Sequence, residues 1–83
     1  MTLYKFNLLD INNQMDTVNQ LGVYLDNYIT KDEKFNLYAF NMFFVEVCYN
    51  SIENKISGIK SFKSGKLLDR YSNIEKLINL NRF

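Results

Sequence analysis

Hydrophobic and polar positions alternate most clearly between residues 35 and 49, the run richest in aromatic and β-branched side chains. A period of two is typical of a β-strand with two unlike faces, and such side chains fit its pleated surface. Asn41 separates two alternating runs, and asparagine tolerates the left-handed backbone that a tight turn needs. The pattern predicts a β-hairpin at the centre of an antiparallel sheet, in preference to one continuous helix. The first run sets Phe35, Leu37 and Ala39 against Asn36, Tyr38 and Phe40; the second sets Phe43, Val45, Val47 and Tyr49 against Phe44, Glu46 and Cys48.

Two further strands flank this hairpin. The predicted order is a strand over 23–30, a polar turn over 31–34, the hairpin, a turn over 50–54 and a strand over 55–63. In the last strand Ile56 and Ile59 have opposite parity, so a bulge at Gly58 would let both face inward. Short turns favour the pairing of sequential strands, which predicts a four-stranded meander.

Helical periodicity in the N-terminal part of the chain predicts a helix over residues 2–21. Its apolar stripe consists of Ile11, Met15, Val18 and Leu21. Asp10 or Asn12 is expected to cap its start, and Gly22 its end, in the left-handed conformation. The apolar residues from Leu3 to Leu9 either extend this helix or form a separate arm.

A second helix is predicted after the last strand, with Ser64 as its N-cap. Its stripe consists of Leu67, Tyr71, Ile74 and Ile78. We expect both helices to cover one face of the sheet, because an apolar sheet face must be buried against another layer. Residues 1–83 are thus predicted to form a single α+β domain: an N-terminal helix, a four-stranded antiparallel meander and a C-terminal helix.

The chain of 83 residues suffices for one domain with a thin core. Cys48 is the only cysteine, so no intramolecular disulfide can form, and a lone thiol suits a reducing cytoplasm. No apolar run approaches the roughly 20 residues of a membrane span, and the first residues lack the pattern of a signal peptide. We therefore expect a cytoplasmic protein without membrane contact.

Few side chains in this sequence are suited to catalysis. There is no histidine, which removes histidine metal ligands and histidine-activated nucleophiles. The three glycines are isolated, so no glycine-rich phosphate loop is present. Asp32 and Glu33 are adjacent in a predicted turn, and Cys48 is expected to act as a small, partly buried apolar residue. The sequence predicts neither an enzyme nor a cofactor or metal site.

A basic segment is the first of two predicted binding surfaces. Residues 1–54 are acidic and residues 55–83 are basic. The stretch from Lys55 to Arg70 also contains aromatic residues, and this combination can hold RNA by phosphate contact and base stacking. The alternatives are neutralisation within the fold and an edge strand protected by lysines.

The sheet face opposite the helices is the second predicted surface, because aromatic side chains left exposed there would mark a protein interface. Glu46 lies between two valines and is expected to point into solvent on this face. The face would carry Tyr24, Tyr28, Tyr38, Phe40 and Phe44 with Asp26, Asn36 and Glu46. The candidate partner-binding residues of both surfaces are Tyr38, Phe40, Phe44, Glu46, Lys60, Lys63, Lys66 and Arg70.

Several of these motifs resemble those of a group of small uncharacterised bacterial α+β proteins. The matching segments are 22–25 (GVYL), 37–38 (LY), 43–49 (FFVEVCY), 59–64 (IKSFKS) and 67–71 (LLDRY). This resemblance implies one sheet over residues 22–64; the group has no assigned activity. In its size and single-domain style the chain also resembles anti-CRISPR proteins, the small non-enzymatic inhibitors that mobile elements carry.

The leading functional hypothesis is a stoichiometric binding protein of the cytoplasm. The resemblance to anti-CRISPR proteins implies an RNA-targeting CRISPR effector nuclease, or its guide-RNA complex, as the protein partner. One alternative is a small RNA-binding module that uses residues 55–70. Another is a homodimeric structural protein whose aromatic sheet face is its own interface.

Overall fold

The computed structural model describes residues 1–63, in which two short helices precede a four-stranded antiparallel sheet. The helices are α1 (Leu3–Asn7) and α2 (Ile11–Leu21), and the strands are β1 (Val23–Ile29), β2 (Glu33–Ala39), β3 (Phe44–Asn50) and β4 (Lys55–Phe62). The order β1-β2-β3-β4 confirms the predicted meander and its central hairpin. The predicted helix after Ser64, with its stripe of Leu67, Tyr71, Ile74 and Ile78, lies outside the described residues.

The apolar N-terminal segment forms a helix of its own and does not extend α2. Asp10 has an extended backbone, and its carboxylate accepts a hydrogen bond from Asn13 N–H at 2.8 Å. Of the two predicted caps, Asp10 is therefore confirmed, whereas Asn12 lies inside α2. Thr2 caps α1 in the same way by accepting from Lys5 N–H at 3.1 Å. Each cap satisfies a backbone donor that the first turn of a helix leaves without a partner.

Gly22 ends α2, but not in the predicted left-handed conformation. Its φ of −75° and ψ of 141° are those of extended backbone. The need for glycine here comes from crowding, because a Cβ at this position would lie 2.7 Å from Val18 O. The chain can pass this close to α2 and enter β1 directly only without a side chain.

A left-handed residue does occur, in a different turn from the one expected. Asn54, in the β3–β4 turn, has a φ of 55° and is the one non-glycine residue with positive φ in residues 1–63. The turn predicted at Asn41 is present and closes with a hydrogen bond from Phe40 N–H to Phe43 O at 2.8 Å, but Asn41 does not adopt the expected left-handed backbone.

The predicted irregularity in β4 is present one residue away from Gly58. Pairing with β3 passes from Gly58 directly to Ile56, which leaves Ser57 as the extra residue. The consequence is the predicted one, since Ile56 and Ile59 both pack against the core. A bulge changes the parity of a strand and so lets two such residues share a face.

The core lies between the two helices and one face of the sheet, which we call the helix-side face. Its fully buried residues are Phe6, Val18, Phe43, Val45 and Val47. The Phe6 ring lies 5.6 Å from that of Phe40 and 5.8 Å from that of Phe43, measured between centroids. Because α1 has only five residues, its position depends on this packing and not on helix propensity.

Register between β2 and β3 decides which residues share the other side of the sheet, which we call the second face. Tyr38 pairs with Val45, and Leu37 pairs with Glu46. The predicted grouping of Tyr38 with Glu46 is therefore wrong. Alternation defines the two faces within each strand, but the connection between the strands sets their register.

Candidate functional site

The predicted aromatic surface does not form, because its members lie on opposite sides of the sheet. Tyr38 is half-buried against the core on the helix-side face. Phe40 stacks on Phe43 at a centroid distance of 4.7 Å. Phe44 lies on the second face, where it stacks on Phe62 at 5.9 Å. Tyr38 and Phe40 thus support the core and do not form a surface with Phe44.

The environment of Tyr38 agrees with a structural role. Burial, and then the neighbouring Tyr49, raises the pKa of the Tyr38 phenol, while a hydrogen bond with Asn36 lowers it. A raised pKa means that the neutral hydroxyl is favoured. This phenol is consequently a poor candidate for an acid or base at neutral pH.

Glu46 is not the solvent-exposed residue that its sequence position predicts. It is 2% exposed, and its cross-strand neighbour Leu37 on the second face is 0% exposed. Val45, Glu46 and Val47 are thus three consecutive buried residues of β3, which requires cover on both faces of this strand. The centre of the second face is therefore not an open binding surface.

The basic residues within the described part of the chain are exposed but separated. Lys60 lies on the second face opposite Glu46, and Lys63 follows β4. The β4 bulge also places Lys55 on the second face, since Lys55 pairs with Asn50 and Lys60 with Glu46. Lys66 and Arg70 lie outside the described residues.

An apolar groove at one end of the sheet was missed by the sequence reasoning. This N-terminal groove has a volume of about 680 Å³, and its apolar walls are Met1, Leu3, Tyr4, Met42 and Phe43. Tyr4 is 73% and Met42 75% exposed. Lys63 also lines the groove. The available signal was Met42, an apolar residue in a predicted turn, where polar residues are usual.

Cys48 lies in a second, smaller cavity of about 360 Å³ on the second face, beside Glu33, Ser57 and Lys60. Its thiol donates to Glu33 Oε2 and accepts from Ser57 Oγ, both at 3.0 Å. Burial raises the pKa of this thiol; the Ser57 hydrogen bond lowers it, and Glu33 raises it. A thiol held in its protonated form is a weak nucleophile, as expected for a partly buried structural cysteine.

Within residues 1–63, no group of three histidine, cysteine, aspartate or glutamate side chains is arranged to hold a metal ion. None of the helices in that range is long and apolar enough to cross a membrane. In comparisons with known proteins, no family model, curated protein or solved structure matches the chain.

Proposed function

We propose that this chain is a non-enzymatic protein that acts stoichiometrically by binding another protein through the N-terminal groove. The observation that carries the proposal is the exposure of Tyr4 and Met42 on the walls of a single apolar groove. Contiguous exposed apolar surface is uncommon on monomeric proteins and is typical of interfaces. Methionine adapts its shape to a partner, and tyrosine combines apolar area with a polar tip.

The charge of the groove indicates the chemistry of its partner. Among residues 1–63, Lys63 is the charged residue that lines it. A complementary segment would place an apolar side chain in the groove and a carboxylate or phosphate beside Lys63, which would increase the association rate and fix the orientation. A CRISPR effector nuclease bound to its guide RNA, the partner implied by the resemblance, offers both kinds of group.

The test is capture of partners by the tagged full-length chain, with the lysate treated or not treated with nuclease. Met42→Asp places a charge in the groove, and we expect it to lose a partner that the wild-type chain retains after nuclease treatment. Ile52→Asp is the matched control, because Ile52 is equally exposed but lies in the β3–β4 turn. The proposal would be contradicted if Met42→Asp and Tyr4→Asp both retained the partner as well as the wild-type chain does.

RNA binding is the second candidate, and one observation favours it. Lys60 lies on the second face two residues before Phe62, whose ring stacks on that of Phe44, and Lys55 lies on the same face at the other end of β4. Cations beside aromatic rings can contact phosphates and stacked bases. Binding of the purified chain to single-stranded RNA should then weaken steeply as salt rises, and Lys60→Glu should weaken it further. A partner lost on nuclease treatment would favour this candidate.

A further inference from the structure

The second face of the sheet is more deeply buried than residues 1–63 explain. Leu37 is 0% exposed, and its cross-strand neighbour Glu46 is 2% exposed. Both helices pack on the helix-side face, where Phe6 and Val18 share a core cluster with residues of β3, and that cluster does not include Leu37. Side chains stand roughly perpendicular to a sheet, so neighbours on the same face cover their sides but leave their ends in water. The centre of the second face is therefore covered by a further layer.

Burial at the next strand shows how far this layer extends. Asp26 of β1 pairs with Leu37 and so lies on the second face. Its Oδ2 is buried, although β1 is an edge strand of the sheet. The exposures are those of one chain alone, so the covering layer belongs to the same chain.

We propose that the second face is the docking surface for residues 64–83, the C-terminal segment of this chain. The predicted apolar stripe of the segment would then lie over Leu37. Its first members are Leu67, Tyr71 and Ile74. The sheet would have α1 and α2 on one face and the C-terminal segment on the other, in place of the predicted arrangement with both helices on one face.

The end of β4 is a suitable starting point for this contact. Phe62 pairs with Phe44 at the end of the second face next to the β2–β3 turn. The row that contains Leu37 and Glu46 lies two residues farther along the strands, or about 7 Å. A helical stripe over residues 67–78 would be about 17 Å long, and a seven-residue strand is about 23 Å long. The segment thus begins beside the second face and is long enough to cover its centre.

Charge complementarity also favours the C-terminal segment. The second face has carboxylates with little exposure, and a buried carboxylate needs a cation or hydrogen-bond donors beside it. In a helix Arg70 would border the apolar stripe, because it is three residues from Leu67 and four from Ile74. Arginine is the cation best suited to a buried ion pair, and docking would bring it to these carboxylates. The carboxylates are those of Asp26, Glu33 and Glu46; the segment has Lys66, Arg70, Lys76 and Arg82 against Asp69 and Glu75.

The first experiment is NMR of the full-length chain, which measures nuclear Overhauser effects from the methyl groups of Leu37. We expect contacts with side chains of residues 64–83. Val47 is the control, because it is buried in the core of the other face and should contact only that core. Contacts of Leu37 confined to residues 1–63, or contacts of the segment with Val47, would overturn the proposal. Contacts between chains in a mixture of labelled and unlabelled protein would also overturn it, by identifying a second copy as the cover.

A variant provides a second readout, the broadening of methyl signals by a soluble gadolinium chelate. Ile74→Asp places a charge in the apolar stripe, which opposes its burial. Broadening at Leu37 should then increase severalfold, whereas broadening at Val47 should not change. Ile52→Asp introduces the same charge at an exposed isoleucine in the β3–β4 turn and should leave both signals unchanged. Equal protection of Leu37 in Ile74→Asp and in the wild-type chain would overturn the proposal.

This contact bears differently on the two candidate functions. Binding through the N-terminal groove does not depend on it, because the apolar walls of that groove belong to residues 1–43. RNA binding would lose its stacking surface, because the C-terminal segment would cover the rings of Phe44 and Phe62. The NMR contacts of Leu37 therefore test the docking surface separately from the capture of a partner.

Discussion

At the scale of single residues, Cys48 shows how the neighbours of a side chain determine its chemistry. Sequence alone indicates a lone cysteine with no histidine to activate it. The structure adds a carboxylate acceptor, Glu33, and a hydroxyl donor, Ser57, both 3.0 Å from the sulfur. These two groups shift the thiol pKa in opposite directions, whereas burial raises it.

Replacement of these two neighbours should therefore have opposite effects. Glu33→Gln removes the negative charge that disfavours the thiolate, so the pKa of Cys48 should fall toward its ordinary value. Ser57→Ala removes the donor that stabilises the thiolate, so the pKa should rise further. The pH dependence of alkylation of this single thiol measures both shifts, and the same midpoint in all three proteins would contradict the assignment.

The raised pKa also predicts how stability depends on pH. The folded thiol has a higher pKa than the unfolded one, so its contribution to stability is complete below the unfolded pKa. That contribution decreases as pH rises from the ordinary value near 9 through the folded pKa. Urea unfolding at alkaline pH should show a smaller decrease in stability for Cys48→Ser than for the wild-type chain, and an equal decrease would count against the assignment.

At the scale of elements, Gly22 and Gly58 provide a matched pair. A Cβ at Gly22 would meet the Val18 carbonyl oxygen at 2.7 Å, whereas one at Gly58 would meet nothing within 4 Å. Gly22→Ala should lower the free energy of unfolding by about 1–3 kcal/mol, the usual range for overpacking. Gly58→Ala should be neutral or slightly stabilising, because alanine restricts the unfolded chain. Equal midpoints of urea unfolding for the two variants would show that the α2–β1 junction can relax.

Local signals in the sequence were sufficient to predict every strand of the described part. Alternation located β1 to β4 within a few residues, and capping preference narrowed the start of α2 to Asp10 or Asn12, of which the structure has Asp10. The faces were harder to predict, because the four-residue connection between Ala39 and Phe44 sets the register, and alternation does not encode it. The predicted aromatic surface depended on that register, and the prediction was wrong for Tyr38 and Phe40. The N-terminal groove depends on α1 meeting the β2–β3 turn, a contact distant in sequence.

At the scale of the whole molecule, the described core depends on one side chain from the shortest helix. Phe6 is 0% exposed and contacts the rings of both Phe40 and Phe43. Phe→Ala in a core lowers the free energy of unfolding by about 3–5 kcal/mol. The whole free energy of unfolding of a domain of this length is about 4–12 kcal/mol. Phe6→Ala should therefore remove a large part of the free energy of unfolding.

Urea unfolding followed by circular dichroism tests this prediction, and Tyr4→Ala is the control on the same helix. Tyr4 is mostly exposed, so its loss should change stability by less than about 0.5 kcal/mol. If the sheet were equally stable without α1 packed on it, the two variants would unfold at similar urea concentrations. A large difference between them would mean that α1 is part of the cooperative unit, and the groove built on α1 would then be as stable as the sheet itself.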